Sequence, residues 1–289
     1  MSPTDIITIT DGPNRLTATR NPETSADQFN LWTSSAGLDG GLGVDSTKTS
    51  RLGAGTVQSG ARRPGRELTI GGVWFGPGQA AAVDFADTLT AIGDGARAVD
   101  VRRTTGVGVR WCTCRLDGDP KVTPVVEDDR ARVEWELPLY AEDPHFYGSE
   151  RTVQVTTPGA DYGLVWPLFD PAGLLDWGVD GPGGTGALAN AGKAEAWPVA
   201  VVSGNAASGF RLGDGLGHWV VYRGAVTEQA PVRLDFAAGS ASQGGDRTQL
   251  VTGRGWWSVP PGGQVQPVVE SLQQGTTCRC DITIYDTYI

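Results

Sequence analysis

The most regular pattern in this chain is the strict alternation of "ARVEWELPLYA". Ala131, Val133, Trp135, Leu137 and Leu139 share one parity, and Arg132, Glu134, Glu136 and Pro138 share the other. Period two is the signature of a strand with one buried and one wet face. Pro138 has no N–H for a ladder, which predicts that this strand lies at a sheet edge or ends its pairing there. "DIITIT", "RELTIGGVWFG" and "VGVRWCTCRL" read as further strands. One segment follows a helical period: in "QAAAVDFADTLTAIG", Ala82, Phe85, Ala86, Leu89 and Ile92 recur opposite Asp84, Asp87 and Thr88, and Gly93 supplies the stop.

After "EDPHFYGSE" the helical signal disappears. Short apolar runs follow at near-regular spacing: "RTVQVTT", "WPVAVVSG", "HWVVYRG", "PVRLDFAAG", "TQLVTG", "QVQPVVES" and "CRCDITIYDTYI". Short strands separated by turn residues predict a β-sandwich. The boundary is placed near Gly148, giving domains 1–148 and 149–289 with no repeat between them. Within the second half, "NAGKAEAWPVAVVSG" leads from a turn at Asn190 through a Trp197-Pro198 step into an apolar run. It reads as a corner that positions a sandwich strand and lines no active site. Val199 and Val201, or Val202 on the opposite parity, are expected in the core.

One tract has no period at all: "SSAGLDGGLGVDSTKTSRLGAGTVQSGARRPG". Its length predicts an exposed functional loop, an extended Gly-rich arm or a disordered segment, ordered only by partners.

Composition agrees with a mainly β protein. The 289 residues make two domains the default, and 42 Gly and 18 Pro favour turns and short strands. A formal net charge of -10 argues against a surface that neutralises phosphates, and so against specific nucleic-acid binding. No apolar run reaches membrane-spanning length, and "MSPTDIITITDGPNRL" has neither a basic leader nor a signal core, so folding in the cytoplasm is expected.

Catalytic chemistry finds little support. His145 and His218 sit in turn-like settings, and no G-x-S-x-G elbow occurs. "GPGGTG" matches a dinucleotide fingerprint in letters, yet it leads through Gly192 and Pro198 to a strand where a helix is required, which favours a loop. Asp117 with Asp119, and Asp128 with Asp129, read as solvated turn formers. The C-x-C pairs Cys112/Cys114 and Cys278/Cys280 lack the two-residue spacing of zinc knuckles. Alternation puts Cys278, Cys280, Ile282 and Ile284 on one face, favouring core packing over a metal site or disulfide. No catalytic residue, metal or cofactor is assigned. "GARRPGRE" clusters Arg62, Arg63 and Arg66 in an acidic protein, and a subunit or partner contact is placed ahead of a solvated loop, with nucleic acid behind both.

Taken in order, "GRELTIGGVWFG", the single helix, "YAEDPHFYG", "NAGKAEAWPVAVVSG", "VRLDF" and "WWSVPPGGQVQP" resemble the distal tail proteins, also called minor tail proteins, of long non-contractile-tailed bacteriophages. The likeness covers the chain from about Arg66 to its end and rests on the order of the motifs. It implies an N-terminal β-sandwich-like domain with one α-helix that forms a homo-hexameric ring, and a galectin-like C-terminal β-sandwich. The implied role is structural and not enzymatic, at the tail tip of a virion assembled in the host cytoplasm. There the ring joins the major tail tube protein and the tape-measure protein to the tail-tip hub or fibre proteins of the adhesion device. The alternative is a carbohydrate-binding module protein attaching to host glycans, with sugar-stacking candidates among Trp166, Trp177, Trp219, Trp256 and Trp257. Trp256 and Trp257 carry that assignment first, since adjacent residues point to opposite faces of a strand. A cell-wall hydrolase lacks a recognisable nucleophile, metal set or carboxylate pair.

Overall fold

A computed structural model describes residues 5–21, 28–41, 43–50, 54, 56–127, 130–157, 186–273 and 276–289. The chain divides into two compact units, Met1–Gly148 with Tyr288–Ile289, and Ser149–Thr287.

The first unit contains β1 (Ile6–Thr10), β2 (Arg15–Thr19), β3 (Phe29–Ala36), β4 (Asp45–Ser50), β5 (Thr56–Arg62), β6 (Arg66–Pro77), α1 (Gly78–Ala91), β7 (Val99–Thr105), β8 (Gly108–Leu116), β9 (Lys121–Glu127) and β10 (Arg130–Ala141). Its main sheet runs β8-β7-β1-β2-β3-β6-β10-β9, and a further pairing of β10 with β8 closes it on itself. The alternation in β10 holds residue for residue, with Ala131, Val133, Trp135, Leu137, Leu139 and Ala141 all buried.

The edge position predicted from Pro138 is corrected. β10 pairs with β6 along its whole length, including Pro138 with Thr69. On its other side β9 pairs as far as Glu136, and β8 takes over at Leu139. Pro138 therefore stands where one ladder hands over to the next, a position in which a missing N–H leaves no partner unmatched. Its carbonyl still accepts from the backbone N–H of Asp117 at 3.0 Å.

The predicted helix forms as α1 and buries Ala82, Phe85 and Leu89. Phe85 stacks on Trp74 of β6 with ring centroids 5.0 Å apart. Burying side chains of this size contributes roughly 1.5–3 kcal/mol each. No basic residue occupies the last turn. Its exposed carbonyls are served from elsewhere: Ala91 O accepts from Asn14 Nδ2 at 3.3 Å and from Arg97 Nη2 at 3.0 Å. Gly93, at φ 76°, turns the chain away and donates its N–H to the buried carboxylate of Asp11 at 2.9 Å. Burial would raise the Asp11 pKa, but donors from Gly93 and Asn14 and the Arg97 guanidinium outweigh it and hold the carboxyl below its ordinary value.

Part of the patternless tract is a β-hairpin. β4 and β5 pair from Asp45 with Arg62 to Ser50 with Thr56, forming a sheet of their own. The β4 sequence, DSTKTS, is almost wholly exposed. With neither face of that strand buried, selection for alternating hydrophobicity is absent, so the sequence carries no strand signal there.

The second unit contains β11 (Phe146–Thr156), which begins in the first, then β12 (Leu188–Ala189), β13 (Val199–Gly204), β14 (Phe210–Gly213), β15 (Trp219–Tyr222), β16 (Val232–Asp235), β17 (Ser240–Ser242), β18 (Val251–Arg254), β19 (Gln264–Val265), β20 (Val268–Ser271) and β21 (Cys278–Tyr288). Strands β17-β16-β13-β21-β11 and β18-β15-β14-β20 form its two larger sheets. Ala200, Val202, Leu234 and Ile282 of one share a core with Phe210, Leu212, Val220 and Val269 of the other. This is the two-layer sandwich expected for this half.

In β13 the core parity is Ala200 and Val202, whereas Val199 is half-buried and Val201 is 37% exposed. The corner before it is built from buried polar groups. Asn190 Nδ2 donates to Ala194 O at 2.8 Å and Val259 O at 3.1 Å, while its Oδ1 accepts from the Gly192 N–H at 2.8 Å. A Cβ on Gly192 would fall 2.1 Å from Thr287 O, so only glycine fits. Asp286 accepts the Ala191 N–H at 2.8 Å and two bonds from Arg151 at 2.8 and 3.0 Å. The corner is thus fastened to the end of β21.

Two outcomes follow from this packing. Asp11→Ala leaves the Gly93 N–H unpaired and should cost about 1–3 kcal/mol at neutral pH. Because the folded pKa is depressed, this contribution is complete above the unfolded carboxylate pKa of about 3.9 and is lost as pH falls through the lower folded value. Urea unfolding of variant and parent should therefore differ at pH 7 and converge at low pH. Val202→Asp buries a charge and should cost on the order of 4 kcal/mol or more, while Val201→Asp should cost about 1 kcal/mol or less, read by denaturation of the full chain.

Candidate functional site

The clustered arginines do not act as one patch. Arg62 ends β5 opposite Asp45, and its side chain lies outside the described residues. Arg63 is exposed. Arg66 is 1% exposed, which removes it as a surface contact. It opens β6 on the inward parity, donates from Nε to Pro144 O at 2.9 Å and from Nη1 to Gly37 O at 2.6 Å, and lies over the Phe146 ring at 4.6 Å. Burial lowers its pKa. Arg66 is a strut between segments of its own unit.

A second charged cluster gave no sequence signal because its members are far apart in the chain. Arg103 donates to both Asp5 oxygens at 3.0 and 3.1 Å and to Asp39 at 2.5 Å. These hydrogen bonds to the Asp5 carboxylate lead in raising the Arg103 pKa. Arg103 and Arg20 both face the Trp32 ring, at 5.0 and 4.2 Å.

Beside α1 is a groove of about 430 Å³. On its floor β2 and β3 run parallel, paired at Thr19 and Leu31, and Asn30 Nδ2 of β3 donates to Thr17 O of β2 at 3.2 Å. Leu16, Phe29, Trp74 and Phe85 supply its apolar lining, with Arg15 and Asp84 among the charged groups.

Each histidine is paired with an aspartate. His145 Nδ1 lies 2.8 Å from Asp143 Oδ1, and the Tyr147 hydroxyl donates to the same carboxylate. His218 Nδ1 lies 2.6 Å from Asp214, whose other oxygen accepts the N–H groups of Leu216 and His218. Burial pushes both aspartate pKa values up, but these donors prevail and hold them low. Each carboxylate shapes a turn; among the described residues no hydroxyl or thiol is placed on either imidazole as a relay would need. Asp117 and Asp119 are exposed. Asp128, Asp129 and residues 181–185 lie outside the described residues.

The cysteines are core residues. Cys112 and Cys114 pack in the first unit with their sulfurs 3.6 Å apart, and Cys278 and Cys280 in the second. All are free thiols, and for Cys278 and Cys280 burial raises the pKa; for Cys114 the hydrogen bond with Cys112 leads.

Of the two leading sugar-stacking candidates, Trp257 is buried and Trp256 keeps part of its ring exposed. Trp257 is 4% exposed and packs on Phe236 at 4.8 Å. Trp256 is half-buried and meets the same ring edge-on at 5.2 Å. Both lie past the end of β18, so strand alternation does not set their directions. They form one aromatic cluster with Phe236. Trp166 and Trp177 lie outside the described residues. Trp219, half-buried on β15, is on the face away from the core.

No protein-family model matches the sequence, and no curated protein does. Among solved structures, chains of the phage P2 baseplate in its activated conformation are similar: 11% identity and TM-score 0.48 with Ca, and 10% and 0.44 with Sr, each covering 98% of both chains. The SPP1 Dit protein, gp 19.1, described as a paradigm of the hub adsorption apparatus in phages infecting Gram-positive bacteria, is similar at 15% identity and TM-score 0.59. That match covers 90% of this chain and 94% of the other, so this chain has the fold of a phage hub protein over nearly its whole length.

Proposed function

We propose that this chain is a distal tail protein of a long non-contractile-tailed bacteriophage. Six copies form a ring at the tail tip, joining the major tail tube protein and the tape-measure protein to the hub or fibre proteins of the adhesion device. The role is structural and not enzymatic, and assembly takes place in the host cytoplasm. The observation that carries this reading is the match to the SPP1 Dit fold across both units.

The physical features of the first unit support it. A closed ring needs heterologous contacts, one surface giving and a different one receiving. The β4–β5 hairpin is a two-stranded sheet with an exposed polar strand, and such ribbons are marginal by themselves. Contact with a neighbouring copy supplies the missing support. The groove beside α1 is concave and has both apolar and charged lining, which suits the receiving side. A net charge of -10 suits a conduit through which DNA passes without sticking.

Light scattering on a sizing column, with negative-stain images of the same peak, tests the assembly. The expected result is a six-fold ring with an axial hole. Replacing the hairpin segment 47–58 by a short Gly-Ser turn should disperse the ring to monomers while leaving the thermal unfolding temperature within a few degrees. A chain that stays monomeric at every concentration, alone and with tail tubes, would overturn the ring.

A further inference from the structure

The groove beside α1 combines an apolar slot with two charges from different elements. Leu16, Phe29, Trp74 and Phe85 form the slot, while Arg15 comes from β2 and Asp84 from α1. Among the described residues neither of these charges has an ion-pair partner. No described residue of β4 or β5 lines the groove, and the hairpin forms a sheet apart from the main one. The unit therefore does not fill its own groove with its own hairpin.

The foot of that hairpin carries the complementary set in one short run. Val44, immediately before β4, is a branched apolar side chain left 47% exposed. Asp45 follows it directly, and Lys48 lies three residues further along β4, both exposed. Lys48 has no ion-pair partner among the described residues. Apolar surface gains by leaving water, and a two-stranded ribbon gains stability by packing on a further surface. The giving segment and the receiving groove are different surfaces of one unit, so each copy can serve one neighbour while it accepts from the other.

We propose that the groove beside α1 binds residues Val44 to Lys48 of a second copy of this chain. Val44 enters the slot between Leu16, Phe29, Trp74 and Phe85, Asp45 meets Arg15, and Lys48 meets Asp84. The contact rests on the hub reading, which supplies the second copy, and the two charge pairs fix the direction in which the segment lies.

The test uses the full chain, with ring formation followed by light scattering and negative-stain images over a concentration series. Asp84→Lys and Lys48→Asp each set like charges against each other. Each should raise the protein concentration needed for the ring about tenfold or more. The chain carrying both substitutions restores an opposite pair and should assemble near the parent's concentration. Val44→Ser should weaken assembly as well. All three positions are exposed, so thermal unfolding temperatures should stay within a few degrees of the parent, which separates a lost contact from a lost fold. A ring indifferent to the single substitutions, or a double variant no better than the singles, would overturn the contact and leave the hub reading standing. A parent chain that forms no ring would overturn the hub reading and the contact with it.

Discussion

A buried backbone or side-chain polar group left unpaired costs about 1–3 kcal/mol, and in a chain made almost wholly of strands this constraint decides where the other parts can go. β10 shows it most directly. Its twelve residues pair with β6 on one side and are shared between β9 and β8 on the other, so that the sheet closes and the interior strands have no open edge at that seam. The proline falls at the changeover between partners. The same constraint governs the corners. Asp11 at the end of α1, and Asn190 and Asp286 before β13, are buried polar residues whose oxygens meet backbone N–H groups that the ladders do not reach.

Where a strand has one dry face, its sequence says so. The alternations of β10 and β21 predict their buried residues correctly, and the helical spacing from Ala82 to Ile92 marks α1 within a residue or two. The parity of β13 was not decidable, because Val199 to Val202 is apolar throughout and either set could face inward. Only the pairing of Val202 with Val232 and Cys280 settles it. The β4–β5 pairing is illegible for the opposite reason: the described side chains of β4 are nearly all wet, so no alternation marks the strand.

Surface chemistry was harder to read than the fold. Proximity in sequence suggests one arginine patch at 62–66, yet strand parity sends Arg66 inward, while Arg63 lies exposed between β5 and β6. Adjacency likewise drew attention to Trp256 and Trp257, which share one core phenylalanine. The groups that do come together, Arg103 with Asp5 and Asp39, and Arg211 with Glu270 and Trp219, belong to different strands. Their juxtaposition depends on register, and register depends on pairings that no single segment encodes.

The four buried thiols give the molecule an intrinsic gauge of its own opening. Cys112 and Cys114 lie in one core and Cys278 and Cys280 in the other, each at most 2% exposed. A thiolate must form and meet solvent before an alkylating reagent can attack it, and for Cys114, Cys278 and Cys280 the folded surroundings hold the proton on sulfur. The rate at which each pair is labelled therefore counts the excursions of its own unit into open states. Two cooperative bodies on one chain can be timed separately, with no foreign probe attached to either.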